Sequence, residues 1–134
     1  MDPRRILIVV SDRGIRESLC AMIDTTFNSH TSVAKDAETA IEILERESFD
    51  VVASEIFLPG MNGIELAEFI KNRGGPLVVL MSGFITSSNQ NAAYRAGAKA
   101  FMRMPVKCEQ LLKIIDQVAT KNLSFITPIG RYDE

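Results

Sequence analysis

The sequence predicts an α/β fold: a doubly wound parallel sheet of five strands, in the order 2-1-3-4-5, with five helices covering its two faces. Three observations lead there. Five short apolar runs alternate with five segments of helical periodicity along the 134 residues, the pattern of a parallel sheet buried on both sides. The clearest runs, Arg5 to Val10 and Leu77 to Met81, are almost unbroken in apolar, mostly β-branched residues, as strands covered on both faces require. Right-handed crossovers then limit the topology. The flavodoxin-like winding that results receives ligands beyond the carboxyl ends of its strands.

The elements follow in order. After the first run, Ile15, Leu19, Met22 and Ile23 recur at helical spacing. Thr31 to Lys35 reads as a second strand. Asp36 is placed as the N-cap of a helix whose inner face is Ala37, Ala40, Ile41 and Leu44, because an aspartate there accepts from an otherwise unpaired helix N–H. Asp50 to Ser54 is the third strand, and Pro59-Gly60-Met61-Asn62-Gly63 a loop rich in turn residues. Leu66, Ala67 and Ile70 carry the next helix, which stops at Gly74-Gly75. Pro76 opens the fourth strand, Leu77 to Met81. A helix over Ser87 to Arg95 ends at Gly97, and Lys99 to Met102 forms a brief fifth strand. In the last helix Cys108, Leu111, Leu112, Ile115, Val118 and Ala119 lie on one stripe. Residues 1–121 make one domain; 122–134 lack helical periodicity and read as a tail, a linker or a surface strap.

Composition excludes several functions. The apolar fraction is 46%, the charged fraction 24% and the net charge −2, which does not suit a nucleic-acid binder. No apolar run approaches the roughly 18 residues of a membrane span. No signal-peptide pattern opens the chain, so a cytoplasmic location is expected, with Cys20 and Cys108 as reduced core thiols. Their wide spacing gives no metal signature. His30 is the only histidine; it reads as an ordinary loop or strand-end residue and leaves no His-based metal cluster or general base.

Three segments carry a family resemblance. Ile6 to Asp12, Asp50-Val-Val-Ala-Ser-Glu-Ile-Phe-Leu-Pro-Gly-Met-Asn-Gly63 and Ala96-Gly-Ala-Lys-Ala-Phe-Met-Arg-Met-Pro-Val106 together resemble the receiver domain of two-component response regulators, from about Arg4 to Ala119. The resemblance implies a phosphorylation pocket of two acids after the first strand, an acceptor aspartate after the third, a hydroxyl after the fourth and a lysine after the fifth. Such a pocket holds Mg²⁺ and positions a phosphoryl group. Here Ser11 and Asp12 stand at the acid positions, Glu55 at the acceptor, Ser82 at the hydroxyl and Met104 at the lysine. Phe57 and Phe84 fall at the pocket rim and imply an apolar mouth, which disfavours a hydrated cation. The resemblance also implies a cis bond before Pro105, an aromatic switch at Phe101, and a partner face of helix 4, strand 5 and helix 5 including Tyr94, Phe101 and Arg103.

Each residue keeps a plainer reading beside this one. Asp12 is a helix N-cap or part of a residual cation site. Glu55 is idle at a strand end or mimics a phosphorylated aspartate. Ser82 caps a strand end or offers its hydroxyl; Phe101 is a static aromatic or a switch; Met104 is packing. Arg13 or Arg103 stands in for the missing cation at Glu55, or neither does. Arg16, Arg46 and Lys71 are read as solvated helix charges. The expectation is a receiver-like, non-enzymatic signalling module with no cofactor and weak or lost Mg²⁺ binding. It acts on a protein partner, such as a histidine kinase or an output domain, with weak homodimerisation through the same face, and not on nucleic acid or membrane. An atypical receiver phosphorylated at or near Glu55 is the alternative. A flavodoxin-like ligand binder or enzyme ranks lower, because Ser11-Asp12-Arg13-Gly14 is no glycine-rich phosphate loop.

Overall fold

The computed structural model describes residues 4–26 and 29–120. Five parallel strands, β1 (Arg4–Val9), β2 (Ser29–Ala34), β3 (Val51–Glu55), β4 (Leu77–Ser82) and β5 (Ala100–Arg103), form one sheet in the order β2-β1-β3-β4-β5. The connecting helices are α1 (Arg13–Thr26), α2 (Ala37–Arg46), α3 (Gly63–Asn72) and α4 (Ser87–Arg95), and α5 (Cys108–Thr120) follows the last strand. The expected topology is therefore the observed one.

The sheet has a core on each face. Alternate strand residues divide between them, since side chains along a strand point to opposite sides. Leu7, Val9, Val52, Leu80 and Phe101 face one way with Ala37, Ala40, Leu66, Ala67 and Ile70. Ile6, Ile8, Val51, Ala53, Val79, Met81 and Met102 face the other with Leu19, Ile23, Leu111 and Ile115. The expected apolar faces of α2 and α3 are borne out; on α1 Leu19 and Ile23 are buried but Ile15 is exposed; Asp36 caps α2 by accepting from the Thr39 N–H at 2.8 Å.

Some element ends differ. β2 begins at Ser29 rather than Thr31, and β5 runs through Arg103 rather than stopping at Met102. Strand ends follow hydrogen-bonded pairing, here Arg4 with Ser29 and Ser82 with Arg103, which side-chain character does not report. His30 lies exposed on edge strand β2. Cys20 is not a core residue: it is half-buried on α1 with its thiol 3.7 Å from Asp24 Oδ2, and burial together with that carboxylate pushes the thiol above its ordinary range. The side chains of Cys108, Val118 and Ala119, and the tail 122–134, lie outside the described residues. Arg4 on β1 and Asp116 on α5 are joined at 2.8 Å, tying the first strand to the last helix. Among the described residues no helix is long and apolar enough to cross a membrane.

Candidate functional site

The register brings the relevant strand ends to one edge of the sheet. Val9 pairs with Ser54, Glu55 with Met81 and Ser82 with Arg103. Ser11, Glu55, Ser82 and Met104 thus leave adjacent strands at the same carboxyl rim, where a wound sheet receives ligands.

At the β1–β3 corner the Glu55 carboxylate is already engaged. Its Oε1 accepts from the Ser11 N–H at 2.8 Å and from the Ser11 hydroxyl at 3.2 Å. The Ser11 loop is braced from below, because Arg16 Nη1 donates to Val10 O at 2.9 Å and Ser11 O at 3.2 Å. Buried Ser54 donates its hydroxyl to Glu55 O at 2.9 Å. Gly63 closes the corner: a Cβ there would stand 2.0 Å from Glu55 O and 2.9 Å from its carbonyl carbon, so only glycine admits this approach. Asn62 then caps α3 in a reciprocal arrangement with Glu65, a capping box.

Asp12 points elsewhere. Its Oδ1 accepts from the Ile15 N–H at 2.9 Å, and its carbonyl accepts from Arg16 N, which is N-cap geometry. Continuing the β1–β3 register beyond Val9 and Ser54 sets Val10, which is fully buried, level with Glu55. Arg13 pairs with Glu17 at 2.9 Å and is strongly exposed, so it supplies no guanidinium to Glu55.

At the β4 corner Ser82 is 2% exposed. Its hydroxyl donates to Phe84 O at 2.8 Å and accepts from the Phe84 N–H at 3.0 Å. Asn89 Nδ2 also donates to Phe84 O at 3.0 Å, while Thr86 caps α4 through the Asn89 N–H. The hydroxyl that the resemblance sets toward a phosphoryl oxygen is turned into its own loop. Met104 is half-buried against the core below α1, and its bond to Pro105 is cis.

The rim aromatics are open to solvent: Phe57 is 58% and Phe84 66% exposed. On the expected partner face Tyr94 is 62% exposed, but Phe101 is fully buried. Phe101 underlies that face instead of forming its surface, and Arg103 is half-buried at the end of β5. Of the charges read as solvated, Arg16 is partly buried, while Lys71 is exposed and also makes a hydrogen bond. Arg16 is the loop brace described above, and Lys71 Nζ donates to Arg95 O at 3.2 Å. Arg16, Asn89 and Gly63 were not among the sequence candidates. Only Gly63 carried a signal, as the last residue of a turn-rich loop.

Comparison with known proteins gives a consistent family. The model of the response regulator receiver domain matches residues 6–116. Response regulator protein FleR of Pseudomonas aeruginosa is 33% identical over 121 residues, covering 89% of this chain and 25% of that protein. Response regulator MprA of Mycolicibacterium vanbaalenii is 30% identical over 112 residues, covering 82% of this chain and 48% of that one. The chain thus spans a quarter to a half of these relatives. A CheY-like receiver domain protein of Methanospirillum hungatei superposes with a TM-score of 0.81 at 30% identity, covering 87% of this chain and 93% of that one. A two-component response regulator of Clostridium difficile gives 0.81 at 21% identity over 88% and 99%, a likeness of fold.

Proposed function

The chain belongs to the response regulator receiver domain family, and from that premise we propose that this member signals by protein–protein contact without being phosphorylated. Receiver domains are signalling modules of two-component systems. The observation that carries the proposal is the engagement of one Glu55 carboxylate oxygen, Oε1, by the Ser11 N–H and hydroxyl, at a site where, among the described residues, no lysine stands opposite it. Phosphoryl transfer needs an acceptor oxygen free to attack and charge placed to offset the moving phosphoryl group. Glu55 carries its carboxylate one methylene further out than aspartate and has one oxygen engaged. Met104 brings no charge, and the Ser82 hydroxyl donates its one proton to Phe84 O and accepts from the Phe84 N–H.

The donor set also does not fit Mg²⁺. The ion wants near-octahedral oxygen, usually including carboxylates. The rim offers Glu55 and the Ser11 hydroxyl, with Val10 an apolar neighbour and Asp12 engaged by α1. The surface that remains for a histidine kinase, an output domain or another cytoplasmic signalling protein is the α4–β5–α5 face, with Tyr94 exposed and Phe101 packed beneath it.

Incubation with acetyl phosphate and millimolar Mg²⁺ is expected to leave the chain unlabelled, with the amide resonances of Ser11 and Glu55 unmoved by the metal. If the losses at Ser11, Glu55 and Met104 cost about 2 kcal/mol each, transfer slows by roughly four orders of magnitude, a scale only, since groups acting together are not additive. The combined variant Ser11→Asp, Glu55→Asp, Met104→Lys should recover acyl phosphate. Labelling of the unaltered chain that disappears in Glu55→Gln would overturn the proposal and identify Glu55 as the acceptor.

A further inference from the structure

We propose that a cavity between the C-terminal ends of α2 and α3 binds a planar organic cation, a guanidinium or amidinium group on an apolar body. The cavity lies at the amino edge of the sheet, where Ser48 and Phe49 lead into β3 and Gly74, Gly75 and Pro76 lead into β4. The rim of Ser11, Glu55, Ser82 and Met104 is at the other end of the strands. The volume is about 490 Å³, and the lining includes Leu44, Glu45, Phe49, Phe69, Ile70 and Arg73. Phe49 and Ile70 are buried and give it an apolar floor. Gly74 borders open space, with nothing within 4 Å of an added Cβ, so a ligand can enter there.

The surroundings favour positive charge. Both helices end at the cavity, and a helix C-terminus is its negative pole. The N–H groups of Glu47, Arg73, Gly74 and Gly75, which could otherwise receive an anion, donate to the carbonyls of Ile43, Ile70, Lys71 and Ile70 respectively. The chain itself shows which cation fits, because it sets a guanidinium over each of the two rings. Arg5 Cζ is 5.5 Å from the Phe49 ring centre and Arg73 Cζ is 4.4 Å from that of Phe69, both within cation–π reach. Arg5 is firmly held, donating to Ser48 O at 2.7 Å and to Glu47 Oε1 at 2.8 Å. Arg73 is loosely held. It meets Glu45 at 3.5 Å, with both side chains more than half exposed. That distance is long for a hydrogen bond, and an exposed pair of this kind contributes little. Arg73 is therefore a displaceable stand-in. An incoming guanidinium takes its place on Phe69 and at Glu45, and lays its apolar body on Phe49 and Ile70. This site is independent of whether Glu55 accepts phosphate.

The test is an amide NMR titration of the full chain with benzamidinium chloride. Saturable shifts at Glu45, Phe69 and Gly74 are expected, with clearly weaker binding of neutral benzamide. Arg73→Gln removes the internal competitor and should tighten benzamidinium by roughly two- to fivefold. Glu45→Gln should weaken it by a similar factor, the scale of one exposed cation–π contact or ion pair. N-acetylarginine amide separates two sources of the same chemistry. If it binds as well as benzamidinium, the site takes an arginine side chain of a partner; if only benzamidinium binds, it takes a free aryl cation. Either result supports the site. Benzamide binding as tightly as benzamidinium would overturn it in favour of a merely apolar hollow. Benzoate binding that Arg73→Gln abolishes would overturn it in favour of an anion site. Absence of saturable shifts with both cations would also overturn it.

Discussion

Ser11 and Ser82 stand at two corners of the same sheet edge and use their polar groups differently. At the β1–β3 corner the exposed Ser11 donates to a carboxylate on another strand, 44 residues away, and Arg16 supports its loop. At the β4 corner the buried Ser82 closes on Phe84, two residues along the chain. One corner is a cross-strand clamp and the other a self-contained turn. A receiver pocket in its ordinary form needs both corners to aim at a common point. Here the Ser11 donors turn to Glu55 Oε1 and the Ser82 hydroxyl turns to Phe84, so the two corners aim at different partners.

The comparison can be broken most severely at Gly63. Gly63→Ala forces a Cβ into the Glu55 carbonyl group, backbone against backbone, and should cost about 3 kcal/mol or more, read as a lowered urea midpoint with loss of the Ser11–Glu55 contact. A difference below about 1 kcal/mol would mean that the corner is softer than its geometry. Next in size is the contrast between the two serines. Ser82→Ala removes the partner of the Phe84 N–H in a part-buried turn and should cost about 1 kcal/mol, whereas Ser11→Ala keeps the backbone donor to Glu55 and should stay within about 0.5 kcal/mol. Equal losses would erase the distinction between clamp and turn.

The smallest effect concerns a capping carboxylate away from both corners. Hydrogen bonding from Thr39 holds the Asp36 carboxyl below its usual range, with a minor contribution from Lys35. A depressed folded-state pKa contributes stability that is present above the unfolded value and is lost as pH falls through the folded one. The acid limb of a stability–pH curve should therefore flatten in Asp36→Asn, by about a few tenths of a kcal/mol after solvent screening. An unchanged limb would show that the cap acts without its charge.

The sheet was legible in the sequence because strands buried on both faces must be apolar at every position, and the runs at Ile6–Val10 and Leu77–Met81 say so. The Asp36 cap was legible for a similar reason, as a polar acceptor directly before a periodic apolar face. Which carboxylate faces the rim was not legible. Asp12 and Ser11 are adjacent, and the turn into α1 decides that Asp12 caps the helix while Ser11 meets Glu55. Arg16 was misread because its spacing suits a solvated helix position, yet its guanidinium reaches back over the first turn. Phe101 matched a family position whose side chain has two resting places, and only the packing fixes it inside.

The Arg4–Asp116 pair sets the opening strand beside the closing helix, 112 residues apart in the chain and 2.8 Å apart in space. A fold entered and left at neighbouring points behaves as an insertable cassette: it can be spliced into a host loop without stretching the host.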